Sequence, residues 1–503
     1  MAQAIYSIKL QDTAFPLLSE EQTRTVIGSE VGKAPSASDM IGIAYCHNVM
    51  PTKYGLTSVG YLDAVPPYSI LGAPFYDVRT LYDEEGNLFY LAWDAAGYIF
   101  HLTGSPLAWV PILGSYVKLS PLTISLPVTI ATVKGVSYIC FPRNFLCTFD
   151  AATSTINTVS LIGISMLNVA GIVASSGYLI VHDELDISWS SLIDPLDFVP
   201  SQVTGAGGGS VAGLAGPMLF ITSNSLGLLI YTEANIIAGT YTGNSRYPFK
   251  FREVDSSKGG ISLDRIAYEA NSTTQFVYSK AGLQTITSQR AEVLFPEVTD
   301  FLAGGKLESY DEVTKQYTYT YLASDDTMEK KIKFIAARYL VVSYGAGTGL
   351  FTHALVYDTA LGKVGKLKIT HTDVFELIAD QPEISKESIA LLLADGAVKV
   401  LDFTSATANG VLVLGKLQAL RTHMISLLGV EAENIPDEGL ISVHSQASLD
   451  GKNFTNIDGS LSYSSGDLKE FAFRSTAKNH SIVFTGKFNL TAVQVRYTLA
   501  GRR

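Results

Sequence analysis

Apolar residues in this chain recur in short alternating runs instead of at helical spacing. The run 88–93 is followed by 97–102, 136–141 by 145–149, and 178–182 by 187–189. The same figure returns at 219–222 with 228–231 and at 276–279 with 283–287. Short runs rich in β-branched and aromatic residues, bounded by Gly, Asn or Asp, read as strands joined in hairpins. Their leading strands start at 88, 136, 178, 219 and 276, so the gaps are 48, 42, 41 and 57 residues. Those gaps fall around the ~40 to 50 residues of one propeller blade. Two later pairs, 338–344 with 353–358 and 389–394 with 398–403, continue the series. The pattern predicts an all-β chain built on a β-propeller of six or seven blades. No Trp-Asp or kelch-type signature repeats from blade to blade, so a β-sandwich pair is the main rival architecture.

Helical periodicity is confined to two short candidates, 20–28 and 416–428. After Gly429 the pattern changes. A polar stretch, 431–439, contains Pro436, and Ser- and Gly-rich alternation follows. Strands are expected at 440–449, 467–475, 481–485 and 492–499. They are joined by turns such as Asp450-Gly451-Lys452-Asn453 and Ser464-Ser465-Gly466-Asp467. These predict a small C-terminal β-sandwich and a division into 1–65, 66–429 and 430–503.

The densest local signal lies in 187–237. Ile187-Ser-Trp-Ser190 reads as a strand end, and Asp194-Pro195 and Val199-Pro200 as turns, because the residue before Pro is pushed out of the α region. Gly205-Ala-Gly-Gly-Gly209 is expected to be a flexible inter-blade loop, since glycine packs poorly into strands and helices. Met218 to Thr222 and Gly227 to Tyr231 read as neighbouring antiparallel strands.

At 503 residues the chain is long enough for large cores. It is 47% hydrophobic and 17% charged, with mean hydropathy +0.22, which suggests apolar surface buried between subunits. Its longest apolar stretches are broken by Ser, Asn or Gly well before ~18 residues, so no membrane span is expected. The start, Met-Ala-Gln-Ala-Ile-Tyr, lacks signal-peptide character, and synthesis in a cytoplasm is expected. Net charge −11 argues against nucleic-acid affinity through counterion release. An acidic wall suits a passage through which DNA slides without sticking, and the same charge also keeps an apolar protein soluble. Cys46, Cys140 and Cys147 are too few and too unevenly spaced for a disulfide framework or a zinc site, and read as free thiols in packed strands.

Chemistry has few footholds. No HExxH, GxSxG or nucleophilic-cysteine neighbourhood occurs. His182-Asp183-Glu184 before Trp189 reads as a polar turn, with Trp189 packing between blades. Asp83-Glu84-Glu85 reads as a solvated hairpin turn, because cooperating carboxylates usually come from different blades. Asp450 to Asn453 lacks the later ligands of a calcium loop, and 205–209 lacks the Lys-Ser/Thr of a phosphate-binding loop. No catalytic residue, cofactor or metal is expected.

The order Ile187-Ser-Trp-Ser190, Asp194-Pro-Leu-Asp-Phe-Val-Pro-Ser201 and Gly227-Leu-Leu-Ile-Tyr-Thr232 resembles the tail nozzle or tail hub proteins of short-tailed bacteriophages. So do Phe249-Lys-Phe-Arg-Glu253, Gly259-Gly-Ile-Ser262, Phe276-Val-Tyr278 and Gly282-Leu283 after it. Thr352 to Lys363 is similar to the family's strand ending in a lysine-bearing turn, and Phe484 to Leu490 near a Gly-Arg-Arg terminus is a second anchor. Val364 departs from the pattern, where the family more often has tryptophan. The resemblance covers 187–503, and the preceding part joins by strand rhythm alone.

It implies a virion tail protein with no enzymatic activity. Six subunits would form a ring that conducts and gates phage DNA and docks to a tail adaptor ring and to tail fibres or tailspikes. The two chain ends would meet in one platform beneath the propeller. Gly205, Gly207, Gly208, Gly209 and Ser210, with Gly345, Gly347 and Gly349, are the candidate mobile, lumen or interface loops. The alternative reading is a carbohydrate-binding or glycan-hydrolysing propeller, which needs carboxylates or aromatics from several blades converging at the channel.

Overall fold

In a computed structural model, the described residues are 4–9, 25–27, 43–68, 74–82, 88–94, 98–112, 128–150, 153–245, 247–268, 273–279, 281–294, 296–303, 305–321, 328–347, 349–378, 388–403, 409–419, 423–434, 441–450, 454–465 and 468–500. They are all-β apart from the helix Pro296–Ala303 and two short 3-10 turns.

Seven four-stranded antiparallel units follow one another among the described residues. Six are continuous in sequence: 75–111, 129–159, 171–210, 218–253, 266–293 and 329–371. The seventh combines Asp373–Leu377, Ser388–Leu392 and Val398–Asp402 with Gly60–Val65, which pairs antiparallel with Val398–Asp402. We number these blades 1 to 7.

Side-chain parity explains why they form a ring. Along Val136–Phe141, Ile139 and Phe141 pack toward blade 1, while Tyr138 and Cys140 pack toward blade 3. Each blade buries both faces this way, in two different cores. Blades 3 and 4 share Ile180, Trp189, Ile221 and Ile230, and blades 4 and 5 share Leu229, Tyr231, Ile266 and Val277. Blade 5 meets blade 6 through Tyr278, Leu340 and Tyr344, and blade 6 meets blade 7 through Val341, Val356, Ile389 and Leu391. The circle closes where Phe375, Ala390 and Val400 of blade 7 pack on Phe75, Phe100 and Trp109 of blade 1. Trp109 Nε1 also donates to the Gly396 carbonyl at 2.7 Å. Each large apolar side chain buried between blades contributes about 1.5–3 kcal/mol. Blades with two buried faces make a seven-bladed propeller, whereas a sandwich leaves one face of each sheet to solvent.

The remaining strands form two further groups. The outer strand of blade 6 continues, through Lys366 opposite Val49, into a sheet holding Leu56–Ser58, Asn489–Ala500, Met424–Asn434, Leu468–Ala477, Ser460–Ser465 and Ala4–Lys9. A second sheet holds Thr25–Ile27, Leu417–Ala419, Asn479–Gly486, Gly410–Leu414, Ile43–His47, Ile441–Ser448 and Thr455–Asp458. One apolar cluster joins the two, with Leu412, Ile482 and Phe484 from the second sheet and Val430, Phe471, Val493 and Val495 from the first. Strands do not follow the expected divisions: Gly60–Val65 belongs to blade 7, and Met424–Asn434 runs unbroken across 429/430.

Between blades 5 and 6, the helix and the hairpin Lys306–Asp311/Gln316–Tyr321 tie the ring to the second sheet. The rings of Tyr310 and Tyr317 stack on Tyr45. Lys366 of blade 6 forms an ion pair with Glu308 of the hairpin, both fully enclosed. Burial pulls the Lys366 ammonium down to about 7, with Cys46 opposing and Lys368 adding.

Several expectations are corrected. The segment 416–428 is not a helix: Leu417–Ala419 and the start of Met424–Asn434 are strands, paired with Asn479–Gly486 and Leu468–Ala477. Within 20–28 the described part, Thr25–Ile27, is a strand parallel to Leu417–Ala419. The glycine tract is not all loop, since Gly207–Ser210 is the outer strand of blade 3. The expected strands 440–449, 467–475, 481–485 and 492–499 are each present within a residue or a few.

Candidate functional site: the propeller channel

The first strand of every blade faces the axis, and together these strands line a cavity of about 1120 Å³. Its most chemically pointed part lies where blades 1, 6 and 7 meet. Asp77 and Arg79 occupy alternate positions of Phe75–Tyr82, Lys331 and Lys333 alternate positions of Glu329–Ile335, and Asp373 opens Asp373–Leu377. Alternate strand positions share a face, so five charges from three strands converge.

Lys331 Nζ lies 3.0 Å from Asp77 Oδ1 and 3.0 Å from Asp373 Oδ1. Lys333 Nζ lies 3.5 and 3.3 Å from the same two carboxylates, and Arg79 reaches Asp77 Oδ2 at 2.8 Å. Backbone N–H groups complete the set: Val78 donates to Asp373 Oδ2 at 2.9 Å and Val374 to Asp373 Oδ1 at 2.8 Å.

Burial works to raise the Asp77 carboxyl, but Arg79, Lys331 and Lys333 override it and hold it well below the usual range. Burial pushes Asp373 up to about 6, with the two lysines opposing and the Asp77 charge adding. The two carboxyls titrate as one unit with the lysines between them. Burial alone lowers Lys331, and Asp373, Asp77 and Asp264 more than reverse it. Lys333 stays lowered by its burial.

The residues singled out from sequence lie elsewhere. Gly205 to Ser210 is at the outer edge of blade 3. Trp189 lies over it, donating from Nε1 to the Gly205 carbonyl at 3.0 Å. A Cβ on Gly207 would meet that ring at 2.9 Å, and one on Gly208 would meet Ser188 Oγ at 2.7 Å. Gly209 has open space around it. The tract is a strand through its pairing with Asp186–Trp189, and at Gly207 the indole occupies the space a side chain would need. Ser210 Oγ donates to Asp186 at 2.6 Å.

Gly345 ends the strand Tyr339–Gly345, and Gly347 and Gly349 sit in the turn to Phe351–Asp358, with φ +97° and +72°. The Gly349 N–H donates to Glu329 Oε2 at 2.8 Å. Neither glycine segment lines the propeller channel.

Trp189 packs between blades 3 and 4, as expected. His182 is enclosed, its Nδ1 3.1 Å from the Asp183 carbonyl, and burial drops it to about 4; Glu184 pairs with Arg143 at 2.8 Å. This is a structural turn. Asp83, Glu84, Glu85, Gly451, Lys452 and Asn453 lie outside the described residues. The three thiols are free and buried. Cys140 sits opposite Leu146 and Cys147 opposite Ile139, so the hairpin does not pair them. Among the described residues, no group of three or more His, Cys, Asp or Glu side chains is placed to hold a metal, and no helix is long and apolar enough to cross a membrane.

The channel charges were missed from sequence. Their signal was present in Asp77-Val78-Arg79 and Lys331-Ile332-Lys333, where same-face charges interrupt apolar strands away from any turn.

No protein-family model matches this chain, and no curated protein matches it. Among solved structures, it is similar to the WD40 β-propeller domain of Doa1, at 9% identity and TM-score 0.39, over 68% of this chain and 97% of that one. It is also similar to U3-55K, at 8% identity and TM-score 0.40, over 68% and 98%. The WD40 repeats of RRP9 match at 8% identity and TM-score 0.39, over 68% and 96%. At such scores the likeness adds nothing to the strand topology.

Proposed function

We propose that this chain is a structural virion protein, a tail nozzle or tail hub subunit of a short-tailed bacteriophage. In this reading six copies close into a ring whose lumen conducts and gates DNA. The two-sheet unit is a β-sandwich platform that docks on the tail adaptor ring, and the flanks hold tail fibres or tailspikes. The protein performs no chemistry and resides in the virion tail after assembly in the host cytoplasm.

The observation that carries this reading is the weaving of the two chain ends. Ala4–Lys9 pairs with Asn489–Ala500, with Ala4 opposite Tyr497, and Ile43–His47 pairs with Gly410–Leu414. Both sheets sit beside a propeller, the arrangement that the family resemblance implies. The acidic, apolar composition fits a subunit with extensive interfaces and a DNA passage that repels its cargo. The segments at Gly205 to Ser210 and Gly345 to Gly349, away from the propeller axis, are available to face the ring lumen or a neighbouring subunit.

Mass photometry with electron-microscopy class averages of the purified protein tests it. A six-fold ring with a central hole, formed alone or on adding an adaptor ring, is the expected result. A monomer that never assembles under either condition overturns it.

One observation favours the glycan reading: Asp264 and Glu376 line the channel and Asp77 and Asp373 lie just behind its face, four carboxylates from three elements. Against it, Asp77 and Asp373 are bound to lysines and backbone, which leaves no opposed acid and base. Release of reducing ends from host polysaccharide would support the glycan reading.

A further inference from the structure

We propose that the propeller channel contains a binding site for a phosphate-type oxyanion, held by Arg79 and Lys333. The inference is independent of the virion reading.

The charge cluster of blades 1, 6 and 7 is layered. Asp77 and Asp373 are 5% and 0% exposed, and Lys331 is 6% exposed. Arg79 and Lys333 are 24% and 22% exposed. Of these five side chains, Arg79 and Lys333 alone line the channel. Carboxylates therefore form the back of the cluster and cations form its face. Three cations meet two carboxylates in direct contact, and the two cations nearest solvent, Arg79 and Lys333, fall on the channel side. Asp264, also on the channel lining, acts on Lys331 and offsets part of this positive charge, yet in a chain of net charge −11 two adjacent cations on one wall are a local construction.

Both exposed cations touch the same carboxylate, Asp77, at 2.8 and 3.5 Å, so their charged ends are held close together. Asp77 also accepts from Val78 N–H at 3.0 Å and from Lys331, and its charge is fully compensated. A guanidinium fork beside an ammonium suits a tetrahedral oxyanion, and the low-dielectric strand wall strengthens that attraction relative to water.

Among the described residues, the other charged groups lining the channel are Lys134, Asp264 and Glu376. Lys134 Nζ donates to the Leu192 and Ile193 carbonyls at 2.8 Å. Glu376 accepts from Ala336 N–H at 3.1 Å. Asp264 acts electrostatically on Lys331. At about 1120 Å³, the channel has room for the organic part of a phosphate monoester as well as for inorganic phosphate.

The test is a titration of the full chain with inorganic phosphate at low ionic strength, followed by 31P line broadening and calorimetry, with glycerol phosphate run in parallel. Saturable binding is expected, together with a phosphate-dependent rise in melting temperature that needs no variant. Arg79→Gln and Lys333→Gln are each expected to weaken binding by about tenfold or more, while Lys134→Gln leaves it unchanged. Tighter binding of glycerol phosphate identifies a monoester ligand, and equal binding identifies free phosphate. No response of the unaltered protein up to roughly 10 mM phosphate, or unchanged affinity in a folded Lys333→Gln protein, overturns the proposal.

Discussion

Two glycines two residues apart on one strand play different parts in this fold. Gly207 lies under the Trp189 indole, and Gly209 faces open space. Gly207→Val therefore forces either the indole or the outer strand of blade 3 to move, an overpacking cost of about 1–3 kcal/mol. Gly209→Ala meets nothing and stays within about 0.5 kcal/mol of the parent. Urea midpoints of the two variants check the contrast, and equal midpoints would refute the packing account. The glycine run itself was plain in the sequence. Its reading as a loop failed because the partner that orders it is the neighbouring strand Asp186–Trp189.

Strands were legible wherever hairpin partners are local. The predicted pairs at 136–149 and 219–231 appear with Cys140 opposite Leu146 and Ile221 opposite Ile230. The helix Pro296–Ala303 was missed, although Pro at its first position is a start signal. A ring of blades was expected, but the strand that closes it was invisible, because Gly60–Val65 reaches Val398–Asp402 from the other end of the chain. Trp109 fastens the same seam, packed between blades 7 and 1 and bonded to Gly396. Trp109→Ala is expected to cost about 3–5 kcal/mol. Hydrogen exchange should speed up first in 60–65 and 398–402, and loss of protection spread evenly over all blades would contradict a local seam.

Acid sensitivity belongs to the molecule as a whole, because buried imidazoles are spread through it. Burial lowers His182, His353 and His371 from 6.5 to about 4, with lysines adding at His353 and His371. His47 is lowered to about 3, by burial first and then by Lys368 and Lys366. Between these values and 6.5 the unfolded chain binds more protons than the native one, so stability is complete above 6.5 and falls as the pH drops. The slope is at most about 1.4 kcal/mol per pH unit for each imidazole. Asp373, raised from 3.8 to about 6, acts in reverse: its contribution is present below 3.8 and is lost as pH rises through 6. Four imidazoles outweigh one carboxyl, so the urea midpoint should drop from pH 7 to pH 5. An unchanged midpoint would mean that these histidines are protonated in the native protein.

The periodicity of apolar residues determined the all-β class and the hairpin rhythm, and the spacing of the runs brought the blade count to six or seven. Those properties depend on residues a few positions apart, where alternation and turn chemistry act directly on the backbone. Tertiary structure alone decided that the number is seven, that Gly207–Ser210 is a strand and that 416–428 is not a helix. It also decided that both chain ends interleave in two sheets and that Asp77, Arg79, Lys331, Lys333 and Asp373 meet at the axis. Each of these turns on a partner outside the local run, from the preceding strand for Gly207–Ser210 to the far end of the chain for the interleaved sheets. A strand's face and a charge's environment are set by what lies across the sheet or in the next blade, and no local window contains that information.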